Sequence, residues 1–266
     1  MSFYSILRAE YKLVYSEMIR RRSALIAMIL YPYLFAGFTL FFGYTMGSAE
    51  IFSRRIGVDP VIFMITASYT VMSVLASVDD VLWRPLSDTF IGTLPYIIAS
   101  PVSRLKLYLA IPIPRLTALI VMGFTSIIPV YTAYYGLEGL LSGLVVMGLI
   151  TLGCLTMITL AMVIAGLVHT IGESWRVLNI VRPLVMILLG AYYPRIYMPL
   201  IGYVLSSLIP SSHIVEVIHN MLRGELSNFY ILIALAIALA VLYAPGGNKS
   251  ILYWEKKKVR EGVKTD

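Results

Sequence analysis

Five long stretches of this chain contain no Asp, Glu, Lys or Arg, and this feature limits the possible folds more than any other. A helix needs about 20 consecutive apolar residues to cross the hydrocarbon core of a bilayer. The stretches cover residues 23–49, 60–78, 116–137, 139–172 and 226–248. Of the 266 residues, 59% are hydrophobic and 13% are charged, and one water-soluble core cannot bury so much apolar surface. The sequence therefore predicts an all-α integral membrane protein.

The distribution of basic residues predicts the number and direction of the membrane spans. If the chain crosses six times, seventeen of its 21 Lys and Arg residues lie on one side, and both basic tails are cytoplasmic. The additional span comes from residues 175–193, which precede a proline-containing stretch. Residues 1–266 then form one transmembrane domain in the plasma membrane, with a cytoplasmic tail at 249–266. Its six transmembrane helices are predicted at about 24–46, 60–78, 116–137, 140–166, 175–193 and 226–245.

An amphipathic helix is predicted before the first span, over residues 1–22. Its apolar residues recur at helical spacing: Phe3, Leu7, Tyr11, Val14 and Met18. A helix of this kind lies in the headgroup plane of a membrane. The same pattern fits a helix that packs against protein, and the position directly before a span favours the interfacial location.

The predicted cytoplasmic segment between spans two and three covers residues 79–115. Because irregular backbone cannot lie in lipid without hydrogen-bond partners, this segment is expected in water, at the interface or against protein. Asp88 is expected to cap a short helix from about Thr89 that ends at Pro101, and Ser103 to cap a second helix. A helix, a tight turn and another helix would then project from the membrane as a docking surface.

Two sequence motifs lie on opposite sides of the predicted membrane. The cytoplasmic segment contains GTL at residues 92–94 and SPVSR at residues 100–104. The other motif, LLGAYYPRIYMPLIGYVLSSLIPSSHIVEVIHNMLRG, covers residues 188–224. In this order, and with these spans and tails, the chain resembles the type-2 permeases of ATP-binding-cassette (ABC) transporters, which are often membrane subunits of exporters. The resemblance implies a cytoplasmic coupling helix, and outer re-entrant helices over residues 194–223.

The resemblance also implies roles for individual residues. In that family, the coupling helix between spans two and three fits a groove on a cytosolic ATPase. The contact with the ATPase is carried over onto seven residues, namely Gly92, Thr93, Leu94, Pro101, Val102, Ser103 and Arg104. An outer re-entrant gate would include Tyr193, Pro194, Pro199, Pro210 and Arg223. Pro95 stands where family members often carry an acidic residue.

The chain is not expected to be an enzyme or to bind a cofactor. A phosphate-binding loop needs the pattern G-x-x-x-x-G-K-[ST], and the nearest fragment, residues 246–250, has Asn248 in place of the Gly before the Lys. ATP and Mg²⁺ would therefore bind to a separate ATPase subunit. The other expected partners are the bilayer and a second permease copy, identical or paralogous. Nucleic acid is not expected as a partner, because the basic residues flank spans.

Two other classes of protein are alternatives. A secondary, ion-coupled transporter usually has inverted repeats and ionisable residues within its spans. A membrane-embedded lipid-modifying enzyme would need a polar cluster at the interface, where the sequence offers the carboxylate pair Asp79 and Asp80. Arg115 and Arg182 are interpreted as anchors whose long stems reach the interface. The three histidines are interpreted as packed side chains, and a path lined by Tyr, Met and Thr suits an amphiphilic cargo.

Overall fold

The computed structural model describes most of the chain, and the fold is stated for the described residues. These are residues 2–20, 23, 26, 30, 31, 33, 34, 36–38, 40, 41, 49–172 and 174–261. Every regular element in them is helical, which confirms the predicted all-α fold class. The predicted first span, 24–46, lies partly outside the described residues, and those of its residues that are described are helical.

From residue 49 onward, the labelled helices follow one another along the chain with short connections. A 3₁₀ turn, Arg195–Tyr197, lies between the seventh and eighth of them. The helices are α1 (Phe3–Arg20), α2 (Ala49–Ile56), α3 (Pro60–Ile91), α4 (Leu94–Ala99), α5 (Arg104–Ala110), α6 (Ile113–Ile171), α7 (Ser174–Leu189), α8 (Leu200–Ser207), α9 (Pro210–Leu222) and α10 (Phe229–Glu261).

Three helical stretches in the described part of the chain are long and apolar enough to cross a membrane. They are Pro60–Ile91, Arg104–Ile171 and Phe229–Glu261. A fourth is added if α8 and α9, which meet at an angle of 109°, together form one broken span. α7 has 16 residues and ends before Gly190, whose φ is +70°, so it is shorter than the predicted span 175–193. These apolar helices indicate a membrane-embedded protein.

The helix α6 consists of two arms, because the chain reverses at Gly136. The φ of +62° and ψ of −140° at this residue lie close to a region that only glycine adopts readily. In a straight helix Gly123 and Met147 would be about 36 Å apart. A Cβ atom at Gly123 would nevertheless come within 2.7 Å of the Met147 side chain. The first arm, 113–135, and the second arm, 137–171, therefore pack side by side in opposite directions, as expected for two successive spans.

The helix α3 is longer than the predicted second span, 60–78. Asp59 caps its start by accepting hydrogen bonds from two backbone N–H groups, and Pro60 occupies the first helical position. The helix continues for 32 residues, about nine turns, and stops at Gly92, whose φ is +78°. Glycine adopts this left-handed conformation without steric strain, so the GTL motif begins with the residue that ends the helix.

The helices of the segment 79–115 differ in part from the expectation. Asp88 and Thr89 both lie inside α3, so the prediction that Asp88 caps a short helix from about Thr89 is wrong. The short helix is α4, which begins only at Leu94. The second helix, α5, follows Ser103 as predicted, although the Ser103 side chain makes no capping hydrogen bond.

The last helix, α10, also extends beyond the predicted span. It runs from Phe229 to Glu261, so the predicted tail 249–266 is helical over most of its length. In the most apolar 18-residue stretch of α10 only 11% of the stretch is buried, against 72% in the corresponding stretch of α3. The helix α3 therefore lies in the centre of the bundle, whereas α10 presents an apolar face outward, as a helix in contact with lipid does.

Glycine residues allow α10 to approach the second arm of α6 closely. A Cβ atom at Gly166 would clash with the hydroxyl and the carbonyl group of Ser250. A Cβ atom at Gly247 would lie 2.8 Å from Cβ of Met162 and 3.0 Å from the carbonyl oxygen of Thr159. Small residues at such a contact let two membrane helices pack backbone against backbone.

We predict that Gly166→Ala lowers the free energy of unfolding by about 1–3 kcal/mol, because the added methyl group overpacks the contact with α10. Gly148→Ala is the matched control on the same arm, since no atom lies within 4 Å of its Cβ position. The control should be neutral or stabilising by up to about 1 kcal/mol. Thermal unfolding of the purified protein in detergent measures both, and equal melting temperatures would contradict the close contact.

Candidate functional site

The segment between α3 and α5 forms an elbow, which we define as residues 92–103. It starts with the left-handed Gly92, contains the short helix α4 and ends at Ser103. The Pro95 ring occupies one of the first two positions of α4, where a missing N–H group leaves no hydrogen bond unmade. The chain thus turns twice within twelve residues, and the tip of the turn stands at the end of the central helix α3.

The seven residues predicted to contact an ATPase divide into three groups in the structure. Gly92, Pro101 and Ser103 are exposed, and Thr93 and Val102 are half-buried. Leu94 and Arg104 are buried, with exposed fractions of 2% and 6%. The side chains of these two residues are covered within this chain and hold the elbow from inside. The contact of the seven residues with an ATPase stays a prediction.

Three exposed apolar residues in or directly before the elbow were not among the contact residues predicted from the sequence. Phe90 and Ile91 are each 73% exposed, and Tyr96 is 78% exposed. They flank the GTL motif on both sides, and the uncharged run FIGTLPY was the signal for them in the sequence. Exposed apolar side chains that lie together mark a contact with another protein or with lipid. We call Phe90, Ile91 and Tyr96 the elbow patch.

A groove of about 510 Å³ extends the elbow patch toward the turn between α6 and α7. Phe90 forms one wall, and Trp175, which is 61% exposed, forms the other. Arg176 also lines the groove. The two cytoplasmic turns of the predicted topology therefore share one continuous surface.

The buried Arg104 connects the elbow to the last helix. Its Nε donates to both carboxylate oxygens of Glu255 in α10, at 2.6 and 2.8 Å. Its terminal nitrogens donate to the carbonyl oxygens of Val102, at 2.9 Å, and Ile98, at 3.1 Å. One guanidinium thus holds both the elbow backbone and α10. Both side chains of the ion pair are 6% exposed, so solvent screens the pair little.

Arg84 makes a second connection, between the elbow and the N-terminal helix. Its two terminal nitrogens donate to the two carboxylate oxygens of Glu10 in α1, at 2.8 and 3.0 Å, in the bidentate arrangement typical of arginine. Its Nε donates to Asp88 at 2.8 Å, and Asp88 accepts a hydrogen bond from the Thr93 hydroxyl at 2.9 Å. Asp88 therefore positions the elbow through Thr93 instead of capping a helix.

The helix α1 packs against protein with one side and leaves the other open. Ile6 and Glu10 are buried, whereas Leu13 is 53% exposed. The Tyr15 hydroxyl lies 3.0 Å from the Thr117 hydroxyl at the start of α6. The sequence left open whether this helix packs against protein. The side of α1 that carries Glu10 does so.

On the opposite side of the molecule the five predicted gate residues do not gather at one point. The Tyr193 hydroxyl donates to the carbonyl oxygen of Ile187 at 2.8 Å. Pro194 and Pro210 are buried at the starts of the 3₁₀ turn and of α9, and Pro199 is exposed before α8. Arg223 donates to Asn220 at the end of α9. Four of the five therefore begin or end an element of the segment 194–223, whereas Tyr193 lies in the bend that precedes it. None of these contacts joins two of the five.

Arg195, which the sequence analysis did not select, holds α8 and α9 together. It is 3% exposed and donates to Glu216 and to the Ser207 hydroxyl, each at 2.6 Å. Its guanidinium also lies 5.0 Å from the ring centre of Tyr203. The next helix, α9, lies deep in the protein, where its buried residues are Pro210, Ser211, Ser212, His213, Ile214, Val215, Val217, Ile218 and His219.

The three histidines have the contacts expected of packed side chains. His169 Nε2 lies 2.8 Å from the carbonyl oxygen of Leu82, and His213 Nε2 lies 2.9 Å from that of Ser207. His219 stacks on Phe63 with ring centres 4.9 Å apart. Within the described residues, no three His, Cys, Asp or Glu side chains are grouped so that they could hold a metal ion.

Comparison of the chain with protein-family models, with curated proteins and with solved structures finds no match. What the fold and the site define is therefore a class: a helical, membrane-embedded protein with an exposed elbow held by buried ion pairs. The family that the sequence motifs resemble remains a prediction.

We predict that Arg104→Met destabilises the protein by about 3–5 kcal/mol, because Glu255 is left buried and charged without its partner. The double variant Arg104→Met with Glu255→Leu should recover most of this loss. Arg54→Met is the matched control, since Arg54 pairs with Glu50 on the surface and the two side chains are 78% and 70% exposed. It should change stability by less than about 1 kcal/mol. Denaturant unfolding in detergent measures the free energy of unfolding of each variant. If the change in the double variant equals the sum of the changes in Arg104→Met and Glu255→Leu, the two residues are not coupled.

Proposed function

We propose that the chain is the permease subunit of an ABC transporter of the type-2 class and moves its cargo, by export, with energy from a separate cytosolic ATPase. The observation that carries this proposal is the elbow. Exposed apolar residues lie in the elbow and directly before it, at the end of α3. Buried ion pairs of the adjoining helices α3 and α5 hold this region to α1 and α10. The order of the motifs GTL, SPVSR and the 188–224 stretch supports the same assignment.

The elbow patch has the chemistry of a protein-binding surface. Aromatic side chains bury about 150–250 Å² each when they enter an interface. In the proposed topology Phe90 and Tyr96 face the cytoplasm, so a soluble chain that covers them gains this apolar burial. The groove between Phe90 and Trp175 allows the same partner to contact the turn between α6 and α7. The partner, not this chain, would bind ATP and Mg²⁺.

The ion pairs give the elbow a mechanical connection to the membrane helices. Arg84 joins α3 to α1, and Arg104 joins the elbow to α10. A displacement of the elbow would therefore be passed to all three helices. ATP binding favours one arrangement only by the difference in contact free energy that the ATPase makes with the two states of the elbow. Transport of this kind needs no covalent chemistry on the cargo, so the chain itself is not an enzyme.

The proposed topology has six spans, with both termini in the cytoplasm and the chain in the plasma membrane. α3, the two arms of α6, α7 and α10 supply five of the spans, and the segment 24–46 supplies the first. The bent pair of α8 and α9 is an outer re-entrant segment in this topology. Two permease chains, identical or paralogous, would surround one path.

An ion-coupled transporter is the second candidate, and the carboxylates Asp79 and Asp80 favour it. Both lie inside the continuous helix α3, and not in a loop after it. Ionisable residues within membrane helices often mark the path of an ion. Uptake driven by an ion gradient without ATP would identify this class and would count against the ABC assignment.

We predict that photo-crosslinking from position 96 captures an ATPase. Tyr96→p-benzoylphenylalanine keeps an aromatic ring at a side chain that is 78% exposed, so folding should be unaffected. In cells that carry the native gene, irradiation should join the permease to a soluble chain. That chain should be labelled by a photoreactive ATP analogue, which distinguishes an ATPase from an adventitious contact.

The matched control is the same replacement at Tyr230, which is 83% exposed at the start of α10. At 1.5 Å per residue this position lies about 38 Å along the helix from Glu255, and therefore far from the elbow. No adduct with an ATP-binding chain is expected there. Absence of such an adduct at position 96, or equal yields at both positions, would overturn the proposed function.

A further inference from the structure

A cavity of about 350 Å³ lies between α3, the start of α6 and α7, and Tyr31 of the predicted first span also lines it. Its size is in the range of sites that hold small ligands. Met72, Leu75 and Met186 are among its apolar lining residues. Three charged residues, Asp79, Arg115 and Arg182, line the same cavity. We call it the charged cavity.

Salt bridges between helices fix the charged groups around the cavity. Arg182 Nε donates to Asp79 Oδ1 at 2.6 Å, and its guanidinium lies 5.3 Å from the ring centre of Trp83. Arg115 pairs with Asp80, with 3.0 Å between Nη1 and Oδ1. The two arginines therefore do not simply extend toward the interface as anchors, as the sequence had suggested. Each is held in place by a carboxylate of α3.

The salt bridges leave hydrogen-bonding groups unused. A guanidinium carries five N–H donors. Within the described part of the chain, Arg182 uses only Nε in a hydrogen bond, and Arg115 pairs through one terminal nitrogen. In the same part of the chain Asp79 accepts its hydrogen bond from Arg182 at Oδ1, which leaves Oδ2 available as an acceptor. Both arginine side chains are 41–42% exposed, so their free donors are accessible beside a free carboxylate oxygen.

The four charged groups have a formal sum of zero, so the site matches a ligand that carries both charges. An anionic group can accept from Arg115 and Arg182. A primary ammonium can donate to Asp79, whereas a quaternary ammonium has no N–H to donate. A ligand with only a negative charge would meet the carboxylate of Asp79. The neighbouring apolar walls fit a hydrocarbon chain.

We propose that the charged cavity binds the headgroup of a zwitterionic amphiphile, with a phosphate on Arg115 and Arg182 and a primary ammonium on Asp79. Its hydrocarbon chain lies against Met72, Leu75 and Met186. The aminophospholipids have this chemistry. That this ligand is the cargo rests on the proposed function, whereas its binding does not.

The test measures binding of short-chain lipids to the full-length purified chain in detergent, by calorimetry. Dioctanoyl phosphatidylethanolamine should bind at least tenfold more tightly than the phosphatidylcholine or phosphatidic acid of the same chain length. Glycerophosphoethanolamine, which has the headgroup without the chains, should bind at least tenfold more weakly than the lipid. Equal affinity for the ethanolamine and choline lipids, or tighter binding of phosphatidic acid, would overturn the proposal. A headgroup that binds as tightly as the lipid would refute the role of the apolar walls.

Trp83 reports whether the ligand occupies this cavity, because its ring lies against Arg182. Phosphatidylethanolamine with brominated chains should quench tryptophan emission saturably, and Trp83→Phe should remove at least half of this quenching. Quenching that Trp83→Phe leaves unchanged would place the lipid elsewhere and overturn the proposal.

Variants separate the charged contacts from a general effect on folding. Asp79→Asn should reduce the preference for the ethanolamine lipid over the choline lipid at least fivefold. Met186→Trp fills the cavity without removing a charge and should weaken binding at least tenfold. Arg54→Gln, at an exposed surface arginine, is the control and should leave binding unchanged. Full affinity in Met186→Trp at an unchanged melting temperature would contradict the site.

The binding measurements need no ATPase, so the two proposals can fail separately. Lipid binding without an ATP-binding adduct at position 96 would remove the ABC assignment and keep the site. An adduct with an ATP-binding chain at position 96, without selective lipid binding, would support the ABC assignment and overturn the lipid site in the charged cavity.

Discussion

The buried ion pair between Arg104 and Glu255 is the constraint on which the position of the elbow depends. Neither charge can lie 6% exposed without the other, because the desolvation of an isolated ion in a protein interior far exceeds its gain from packing. The pair therefore requires α10 to reach the elbow, and this is why α10 continues for several turns past the predicted end of its span. Arg104 also satisfies two elbow carbonyl groups, so the same side chain shapes the turn and anchors it.

The same rule organises the other charged groups at this end of the molecule. Arg84 with Glu10, Arg115 with Asp80, and Arg182 with Asp79 each join two helices that are distant in the sequence. The apolar surfaces of such helices could slide past one another at little cost, since lipid is as apolar as a leucine side chain. Pairs of opposite charge fix the register that apolar contact leaves open. Close glycine contacts between α6 and α10 do the same through shape.

Hydropathy predicted the helical fold and the approximate position of most apolar helices, because long uncharged stretches have no other stable state in a bilayer. It could not predict where helices end on the polar side. Asp88 looked like a cap, since local sequence favours that role. Its actual partners, Arg84 and Thr93, are four and five positions away, and they form because α3 continues past Asp88. The contact of Arg84 with Glu10, 74 positions away, has no local signal. Arg104 and Glu255 are 151 positions apart, and no local pattern links them. The exposed Phe90 and Tyr96 were detectable only as an uncharged run beside the GTL motif.

The linkages also limit how the elbow can move. If the elbow moved with α3 and α5 while α1 and α10 stayed in place, Arg104 would separate from Glu255 and Arg84 from Glu10. Leaving a buried charge without its partner costs about 3–5 kcal/mol. Coupling between protein sites typically involves only about 1–3 kcal/mol. A force on the elbow is therefore better accommodated by moving α1, α3 and α10 together as one unit. The charged cavity adjoins α3 about 18 Å from its elbow end, a distance given by the twelve residues between Asp79 and Ile91. A displacement of this unit would thus change the spacing between Asp79 on α3 and Arg182 on α7, the two groups that hold the cavity in its present form.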